Sequence, residues 1–262
     1  MQQPLKILHY PLVESTNSLA LELAAADPGL HGVVVRADRQ RCGRGQHGRV
    51  FASPAGGLYC SLILRPHLDI RRLSLVTLAA GVGCCLAVEE VAALQPRLKW
   101  PNDLYLAGRK LAGILTETGT ITHPVTSPPV VIGIGMNVNT RAADLPPELR
   151  ESTVSLLEHT GRRFDPDRLL EVMVRQVMDA VGLLEVDPDT LLARWRTRDY
   201  LVGHQVELKP ADPPVRGRAL GLAADGRYRI LTRDGREHHV LAGSLRLVGR
   251  TESGYCAPER RL

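Results

Sequence analysis

The sequence lacks the cysteine pattern, the leader and the long apolar segment that mark disulfide-bonded, zinc-binding, secreted or membrane proteins. Its five cysteines form an odd set without a C-x-x-C pair, which disfavours a disulfide framework and a zinc site. The opening MQQPLKILHY has neither the apolar core nor the cleavage site of a signal peptide. An uncharged, largely apolar stretch runs from Leu73 to Val88, shorter than the roughly 20 residues of a membrane span, and Glu89 and Glu90 follow it. We therefore expect a cytoplasmic protein without a membrane segment, in which this stretch forms a buried helix.

Neither of the common phosphate-binding loops is present, although residues 39–57, RQRCGRGQHGRVFASPAGG, are rich in glycine and arginine. A P-loop would end in Gly-Lys-Ser/Thr, which this stretch does not contain. Gly43, Gly45 and Gly48 reproduce the G-x-G-x-x-G spacing. A dinucleotide-binding loop opens a helix, however, whereas a β-rich run follows here. We call residues 39–51 the glycine loop, and it needs another explanation.

Length and composition predict one large domain and a small second one. The chain has 262 residues, of which 44% are hydrophobic and 23% charged, as in ordinary globular proteins. Its formal net charge is +5, and residues 198–262 contain twelve Lys and Arg against eight Asp and Glu. These charges are dispersed among predicted strands and do not form one patch. That distribution favours a solvated surface over a nucleic-acid site.

Periodicity and turn signals predict an α+β domain, because strands and helices do not repeat as regular βαβ units. Strands are predicted at 6–10, 32–37 and 58–64, and in the segments LKW, LYLAG, KLAGILTET and VVIGIGMNVN between residues 98 and 139. Helices are predicted from Ser15 onward and over 73–94, 166–185 and 188–199. A loop rich in Gly, Pro and Thr is predicted at 119–129.

Beyond Gly203 the sequence changes to short alternating segments typical of a small β-barrel. The segments are QVELK, VRGRALGL, RYRILT and REHHVL. Two Asp-Gly pairs, at 225–226 and 234–235, lie where the chain must reverse, and Asp-Gly is a strong hairpin-turn signal. We therefore predict two domains, residues 1–200 and residues 201–262.

Three further segments contain polar residues where a purely structural role would favour apolar ones: ESTN at 14–17, KWPND at 99–103 and GIGMNVN at 133–139. Taken alone, the first could cap a helix, the second could supply an ion pair, and the glycines of the third could let two backbones approach closely. Together with the glycine loop they indicate a binding site.

The ordered set ESTN, GRGQHGR…SPAGGLY, KWPNDLYLAGRKLAGIL and IGIGMNVN resembles the biotin–protein ligases over nearly the whole chain. The most specific part is KWPNDLY…KLAGIL combined with GRGxxGR. The resemblance implies a class II synthetase-like, biotin/lipoyl ligase-like catalytic domain, with a mixed β-sheet and flanking helices, followed by a small SH3-like β-barrel. The first strand is predicted near residue 6, so we expect the type without an N-terminal DNA-binding domain, and no DNA partner.

The resemblance also implies a reaction in two steps. The biotin carboxylate attacks the α-phosphorus of ATP to give biotinyl-5′-adenylate and pyrophosphate, and a lysine amine of an acceptor protein then takes the biotinyl group. The first step needs no general base, because a carboxylate with a pKa of about 4 to 5 is ionised at neutral pH. It needs positive charge, supplied by cationic side chains and Mg²⁺. Arg44 and Lys99 are the candidate catalytic residues, and no side chain is assigned as a metal ligand.

The same resemblance assigns the binding residues. Biotin is a neutral bicyclic urea with an apolar tail, so hydroxyl and amide groups suit its recognition. The residues assigned to biotin are Ser15, Thr16, Asn17, Gln40, Gly43, Arg44, Gly45, Gln46, Lys99, Gly113 and Gly133. The residues assigned to ATP are Arg44, Arg49, Lys99, Asn102, Lys110 and Asn137, the last near the adenine. The glycine loop is then a segment that folds over biotin and the adenylate.

Two positions depart from the family pattern. Gln46 stands where the family commonly has a second arginine, and Phe51 where it commonly has tryptophan. The missing cation puts the retention of the adenylate in question. Arg44 and Lys99 should preserve catalysis.

Three alternatives and two partner questions stay open. A lipoate or octanoate ligase is disfavoured, because its substrate has no urea to pair with the polar set. A biotin-responsive regulator would need room for a DNA-binding domain. A nucleic-acid-binding barrel would need exposed aromatic side chains, and its region offers Tyr200, Tyr228 and Tyr255. The expected acceptor is the biotin carboxyl carrier protein of acetyl-CoA carboxylase, and a homodimer is left open.

Overall fold

The framework of the chain is a seven-stranded mixed β-sheet, in a computed structural model that describes residues 5–119, 128–211 and 213–248. The strands are β1 (Lys6–Tyr10), β2 (Val33–Ala37), β3 (Leu58–Leu64), β4 (Arg97–Lys99), β5 (Asp103–Leu106), β6 (Arg109–Thr118) and β7 (Val130–Met136). Their order in the sheet is β1-β2-β3-β7-β6-β5-β4. β1 and β2 are parallel, and the other neighbours are antiparallel. The predicted mixed sheet is confirmed, while most of the predicted loop at 119–129 lies outside the described residues.

Helices flank this sheet on both faces. Those in the described part of the chain are α1 (Thr16–Ala26), α2 (Ser74–Ala92), α3 (Pro147–Arg150), α4 (Leu156–Thr160), α5 (Pro166–Val186) and α6 (Pro188–Arg196). Successive side chains of a strand point to opposite faces, and β2 shows the result. Val33 and Val35 pack with Ala20 of α1, whereas Val34 belongs to the larger core formed with α2 and α5. α3 and α4 were not predicted, because a single turn is too short to show a helical period.

The long uncharged stretch forms α2, and it is a core helix. Of its apolar window Leu75–Ala92, 72% is buried inside the protein. Small residues allow this close packing: a Cβ built on Gly83 would lie 2.6 Å from the Cα of Val177 in α5. The predicted buried helix is therefore confirmed.

After α6 the chain forms a five-stranded antiparallel sheet of β8 (Gln205–Lys209), β9 (Val215–Leu222), β10 (Tyr228–Thr232), β11 (Glu237–Val240) and β12 (Ser244–Leu247). Their order is β11-β10-β9-β8-β12, so among residues 205–248 the two end strands stay unpaired with each other. Gly226 and Gly235 have φ angles of +80° and +81° in the two predicted hairpin turns. The small C-terminal β-domain is thus confirmed as a sheet, and residues 249–262 of the predicted domain lie outside the described part.

A buried carboxylate joins the two sheets. Asp199 is 5% exposed, and its two oxygens accept hydrogen bonds from the Tyr228 hydroxyl at 2.9 and 3.0 Å. Burial raises the pKa of Asp199 above its usual range. The Tyr228 ring packs against Trp100, the residue after Lys99, with 5.6 Å between ring centroids. The C-terminal sheet therefore packs directly beside the strand that carries Lys99.

Candidate active site

One cavity, of about 230 Å³, gathers nearly all of the predicted site residues. Its wall comes from the start of α1, the glycine loop, strands β5 to β7 and β12. The predicted residues that line it are Ser15, Thr16, Asn17, Gln40, Arg44, Gly45, Gln46, Arg49, Lys99, Asn102, Lys110, Gly113, Gly133 and Asn137. Four segments that are distant in the sequence therefore meet at one place in the fold.

Gly43 is the predicted residue that does not line this cavity. Its carbonyl accepts a hydrogen bond from the Phe51 N–H at 2.7 Å, which joins the two arms of the glycine loop. A Cβ built on Gly43 would lie 2.6 Å from the Ser53 Oγ. Glycine is needed here because the two arms cross closely behind the cavity wall.

Ser15 acts first as a helix cap. Its side chain is the N-cap of α1 and accepts a hydrogen bond from the Ser18 N–H at 3.4 Å. The structural explanation of this serine thus holds, while its position at the cavity wall also makes it available to a ligand.

A chain of hydrogen bonds fixes one end of the cavity. The Gln40 Oε1 accepts from the Thr16 N–H at 2.8 Å and from the Thr16 hydroxyl at 3.2 Å. The Gln40 Nε2 donates to the Ser53 Oγ at 2.8 Å, and this hydroxyl donates to the Phe51 carbonyl at 2.9 Å. The chain ties the glycine loop to α1 and leaves uncharged polar groups at the wall.

Asn17 and Gly133 belong together. Asn17 is 3% exposed, its Nδ2 donates to the Leu115 carbonyl at 3.1 Å, and its Oδ1 accepts from the Ser61 hydroxyl at 2.6 Å. A Cβ built on Gly133 would overlap the Asn17 Oδ1 and lie 2.6 Å from its Cγ. Gly133 is therefore glycine because the Asn17 carboxamide occupies the space of a side chain.

Lys99 is a buried cation of the cavity, 5% exposed at the end of β4. Its Nζ donates to the Tyr105 hydroxyl at 3.2 Å. The Tyr105 ring stacks on Tyr200, with centroids 4.7 Å apart. Two tyrosines thus help to hold the ammonium group in place.

Further cations reach the cavity from other elements. The Lys110 Nζ forms an ion pair with the Asp103 Oδ1 at 2.7 Å. Arg246 lines the cavity from β12, so the C-terminal sheet contributes to this wall. Together with Lys99 and Arg44, these side chains give the cavity an excess of positive charge, which suits an anionic ligand.

Two glycines form part of the floor. Gly113 and Gly135 are paired across β6 and β7. Cβ atoms built on them would lie 3.3 and 2.5 Å from carbon atoms of the Phe51 ring. The Lys110 Nζ lies 5.9 Å from the centre of the same ring. The Phe51 ring therefore lies against both glycines, in space that a side chain at either position would need.

The two asparagines assigned to ATP differ in the hydrogen-bonding groups that they have left for a ligand. The Asn102 Nδ2 donates to the Ile114 carbonyl at 2.7 Å, which anchors the KWPND turn to β6. The Asn137 Nδ2 donates to the Leu111 carbonyl at 3.1 Å. The Asn137 Oδ1 is buried and has no hydrogen-bond partner within the described residues. A buried acceptor of this kind needs a donor, and a ligand at the cavity wall could supply one.

Sequence reasoning missed several residues of the site. Asp103 and Gly135 lie inside recognised motifs, so the motifs themselves were the available signal. Tyr105 likewise ends the KWPNDLY segment of the resemblance, but it was not assigned a role. Arg246 comes from the other sheet, and nothing in its local sequence indicates that it reaches this cavity.

The chain is similar in sequence to known proteins over most of its length. Residues 10–137 match the biotin/lipoate A/B protein ligase family. The chain is 32% identical over 234 residues to the bifunctional ligase/repressor BirA of Bacillus subtilis, covering 87% of this chain and 70% of that protein. It is 33% identical over 237 residues to the biotin–[acetyl-CoA-carboxylase] ligase of Mycobacterium tuberculosis, covering 88% and 85%.

A solved structure agrees over most of the fold. The biotin protein ligase of Aquifex aeolicus, in complex with biotin and ATP, superposes with a TM-score of 0.80 at 28% identity and covers 92% of this chain and 98% of that one. The agreement of the two folds and the extent of the sequence matches lead to one assignment. The chain belongs to the biotin/lipoate A/B protein ligase family, and within it to the biotin–protein ligases.

Proposed function

We propose that the cavity binds biotin and ATP side by side and joins them as biotinyl-5′-adenylate. The observation that carries this proposal is the composition of the wall: uncharged hydrogen-bonding groups at Thr16 and Gln40 share one cavity with the cations Lys99 and Lys110. A neutral urea and a triphosphate need these two environments. The similar ligase of Aquifex aeolicus holds biotin and ATP.

Activation requires two anions to meet. A carboxylate oxygen of biotin forms a bond to the α-phosphorus while the bond from this phosphorus to the bridging oxygen breaks, and pyrophosphate leaves with the electron pair. Lys99 and Arg44 offset the repulsion and the charge that moves onto the leaving group. Because Lys99 is buried and held by Tyr105, little reorganisation is needed when this charge develops.

Recognition of biotin rests on the uncharged wall. The ureido ring offers one carbonyl acceptor and two N–H donors. Thr16 and Asn17 are fixed by hydrogen bonds to Gln40 and Ser61 and stand at the wall. Lipoate and octanoate have no such ring, so they would leave the remaining hydrogen-bonding capacity of these buried groups unused, which costs binding free energy.

The nucleotide lies beside the Phe51 ring, between Asn137 and the cations of the cavity wall. The unpaired Asn137 Oδ1 accepts a hydrogen bond from the exocyclic amine of adenine. Lys110, Arg49 and Arg246 lie at the wall and face the phosphates. The position of Phe51 against Gly135 makes its ring a neighbour of the base.

Mg²⁺ fits this site as an ion carried by the phosphates. The described residues contain no group of three or more His, Cys, Asp or Glu that could hold a metal. Asp103 is a cavity carboxylate, and magnesium usually takes one or two carboxylates together with substrate phosphates. When bound, the ion neutralises phosphate charge. Asp103 would be its protein ligand and would give up its ion pair with Lys110 to bind the ion.

Transfer completes the reaction. The uncharged amine of an acceptor lysine attacks the biotinyl carbonyl carbon, and AMP leaves. The proposed acceptor is the biotin carboxyl carrier protein of acetyl-CoA carboxylase, as the name of the Mycobacterium tuberculosis relative suggests. We place the reaction in the cytoplasm, because Cys42, Cys60, Cys84 and Cys85 are free thiols.

The domain division is part of this proposal. Residues 1–200 would form the catalytic domain and residues 201–262 an SH3-like barrel built around the five-stranded sheet. The position of Arg246 gives that second domain a part in the site.

Exchange of labelled pyrophosphate into ATP tests the proposal. We expect exchange with biotin and magnesium, and none above background with lipoate or octanoate. Exchange driven by lipoate and not by biotin would refute it and establish the alternative ligase.

A further inference from the structure

One carboxylate connects two parts of the cavity wall that are far apart in the sequence. The Glu117 Oε1 accepts a hydrogen bond from the Arg44 Nη2 at 2.7 Å. The Glu117 Oε2 accepts one from the Asn17 Nδ2 at 2.9 Å. Arg44 belongs to the glycine loop, Asn17 to the first turn of α1, and Glu117 to β6. Glu117 therefore stands behind the wall and holds two of its side chains from one point.

The hydrogen bond from Asn17 to Glu117 determines which hydrogen-bonding groups of Asn17 remain for a ligand. A carboxamide has two N–H donors and an oxygen with two lone pairs. Both donors of Asn17 are used, by the Leu115 carbonyl and by Glu117. The Oδ1 accepts from Ser61 and has one lone pair left. Asn17 can therefore only accept a further hydrogen bond, and the Glu117 carboxylate maintains this state because it can accept but cannot donate.

The ion pair with Glu117 fixes the position of the Arg44 guanidinium but adds little to the stability of the protein. The Arg44 side chain is 45% exposed, and an ion pair this open to water contributes little to the free energy of unfolding. The Glu117 side chain, at 22% exposure on a strand, is the less mobile partner. The guanidinium has five N–H donors, so several stay available for a biotin carboxylate while one is held by Glu117.

We propose that Glu117 is a positioning residue for biotin recognition. It presets Asn17 as an acceptor for a ureido N–H and holds Arg44 beside it for the carboxylate end. The inference rests on the proposed position of biotin in the cavity. Glu117 acts through these two side chains, so its loss affects the use of biotin far more than the use of ATP.

The variant Glu117→Gln removes this function with little change of shape. A carboxamide oxygen can accept from Asn17 or from Arg44, but its NH₂ group then faces the other donor. We expect the KM for biotin in pyrophosphate exchange to rise roughly 10- to 100-fold, as for the loss of a hydrogen bond to a charged group. We expect the KM for ATP to rise less than the KM for biotin, because Lys99 and Lys110 keep their places at the cavity wall, while kcat at saturating biotin falls only as far as the displaced Arg44 contributes to the reaction.

The matched control is Glu90→Gln. Glu90 also accepts from an arginine and from a carboxamide, Arg175 at 2.8 Å and Gln176 at 3.0 Å, on a surface away from the cavity. Glu90→Gln likewise removes a carboxylate that accepts from two donors, but the KM values for biotin and for ATP should stay unchanged. Thermal unfolding of both variants shows whether each is folded.

An analogue methylated at a ureido nitrogen identifies the group that Asn17 recognises. Two analogues are made, each methylated at one of the two ureido nitrogens. The parent enzyme should prefer biotin over the analogue whose methylated nitrogen is the one that donates to Asn17. In Glu117→Gln this discrimination should shrink by about the same factor by which the KM for biotin rises. A purely structural role would leave it unchanged.

The results separate the possible failures. If the parent enzyme shows no exchange driven by biotin, the proposed function fails. If the parent is active and folded Glu117→Gln keeps its KM for biotin and its discrimination within about two-fold of the parent values, the positioning role is refuted. Should that variant not fold, Glu117→Asp retains the charge but is too short to reach both donors, and an unchanged KM for biotin in this variant would equally overturn the proposal.

Discussion

A methyl group at Gly133 should disable the biotin end of the cavity while sparing the rest of the enzyme. In Gly133→Ala the new Cβ would overlap the Asn17 Oδ1 and lie 2.6 Å from its Cγ, and ordinary contacts begin near 3.4 Å, so the carboxamide must move by at least about 0.8 Å. Its bond to the Leu115 carbonyl is already 3.1 Å long. A shift of this size therefore breaks at least one hydrogen bond of Asn17.

The magnitude follows from the bonds at risk. A neutral hydrogen bond contributes about 1 kcal/mol net and one to a charged group about 1.5 to 3 kcal/mol. Asn17 has bonds of both kinds, to Ser61 and to Glu117. We expect the loss of about 2 kcal/mol in biotin binding, roughly a 30-fold rise of the dissociation constant. Binding of ATP alone should stay within about two-fold.

Titration calorimetry with biotin measures this change, and Gly182→Ala is the control. Gly182 lies within α5, and a Cβ built there meets nothing within 4 Å. Alanine at this helical position should leave biotin binding unchanged and raise the free energy of unfolding by up to about 1 kcal/mol. Parental biotin affinity in folded Gly133→Ala would refute the tight contact between Gly133 and Asn17 on which the argument depends.

Three further predictions concern charge. Lys99→Met should lower the rate of biotin-dependent exchange about 10²- to 10³-fold in a folded protein, because a buried cation is lost where negative charge develops, and a nearly parental rate would contradict its role. Gln46→Arg should slow the escape of biotinyl-adenylate about ten-fold, or about 1.4 kcal/mol, because a charge-assisted hydrogen bond replaces a neutral one. An unchanged or faster dissociation rate would show that retention of the adenylate does not depend on a cation at position 46. Burial raises the pKa of Asp199, so the folded state keeps this proton to a higher pH than the unfolded state does. The contribution of Asp199 to the free energy of unfolding therefore falls as pH rises above about 4. Asp199→Asn should therefore gain stability relative to the parent between about pH 4 and pH 7 in urea unfolding, and a difference independent of pH would contradict this sign.

The fold was predictable where one segment carries its own pattern. The uncharged residues of α2 indicated a buried helix, and the two Asp-Gly turns marked the hairpins of the C-terminal sheet. α3, α4 and β12 span only four or five residues each. Elements this short form through tertiary contacts, so their local sequence does not define them. Whether the five-stranded C-terminal sheet closes into a barrel is likewise decided by pairing between strands that are distant in the sequence.

The site was predictable where a motif supplies side chains directly to the cavity wall. It was not predictable where the arrangement depends on register. Glu117 lies four residues beyond Gly113, and only the pairing of β6 with its neighbours turns its carboxylate toward Asn17 and Arg44. Gly43 shows the converse case: its motif supplies the cavity wall, but its own backbone packs behind that wall.

A crystal structure with a non-hydrolysable analogue of biotinyl-5′-adenylate would show where both halves of the intermediate bind. We expect the ureido ring within hydrogen-bond distance of Thr16 and Asn17, the phosphate beside Lys99, and the adenine amine at the Asn137 Oδ1. The glycine loop should cover the ligand. Occupation of a different surface, or of this cavity with the adenine at the Thr16 end, would refute the proposed binding of biotin and ATP.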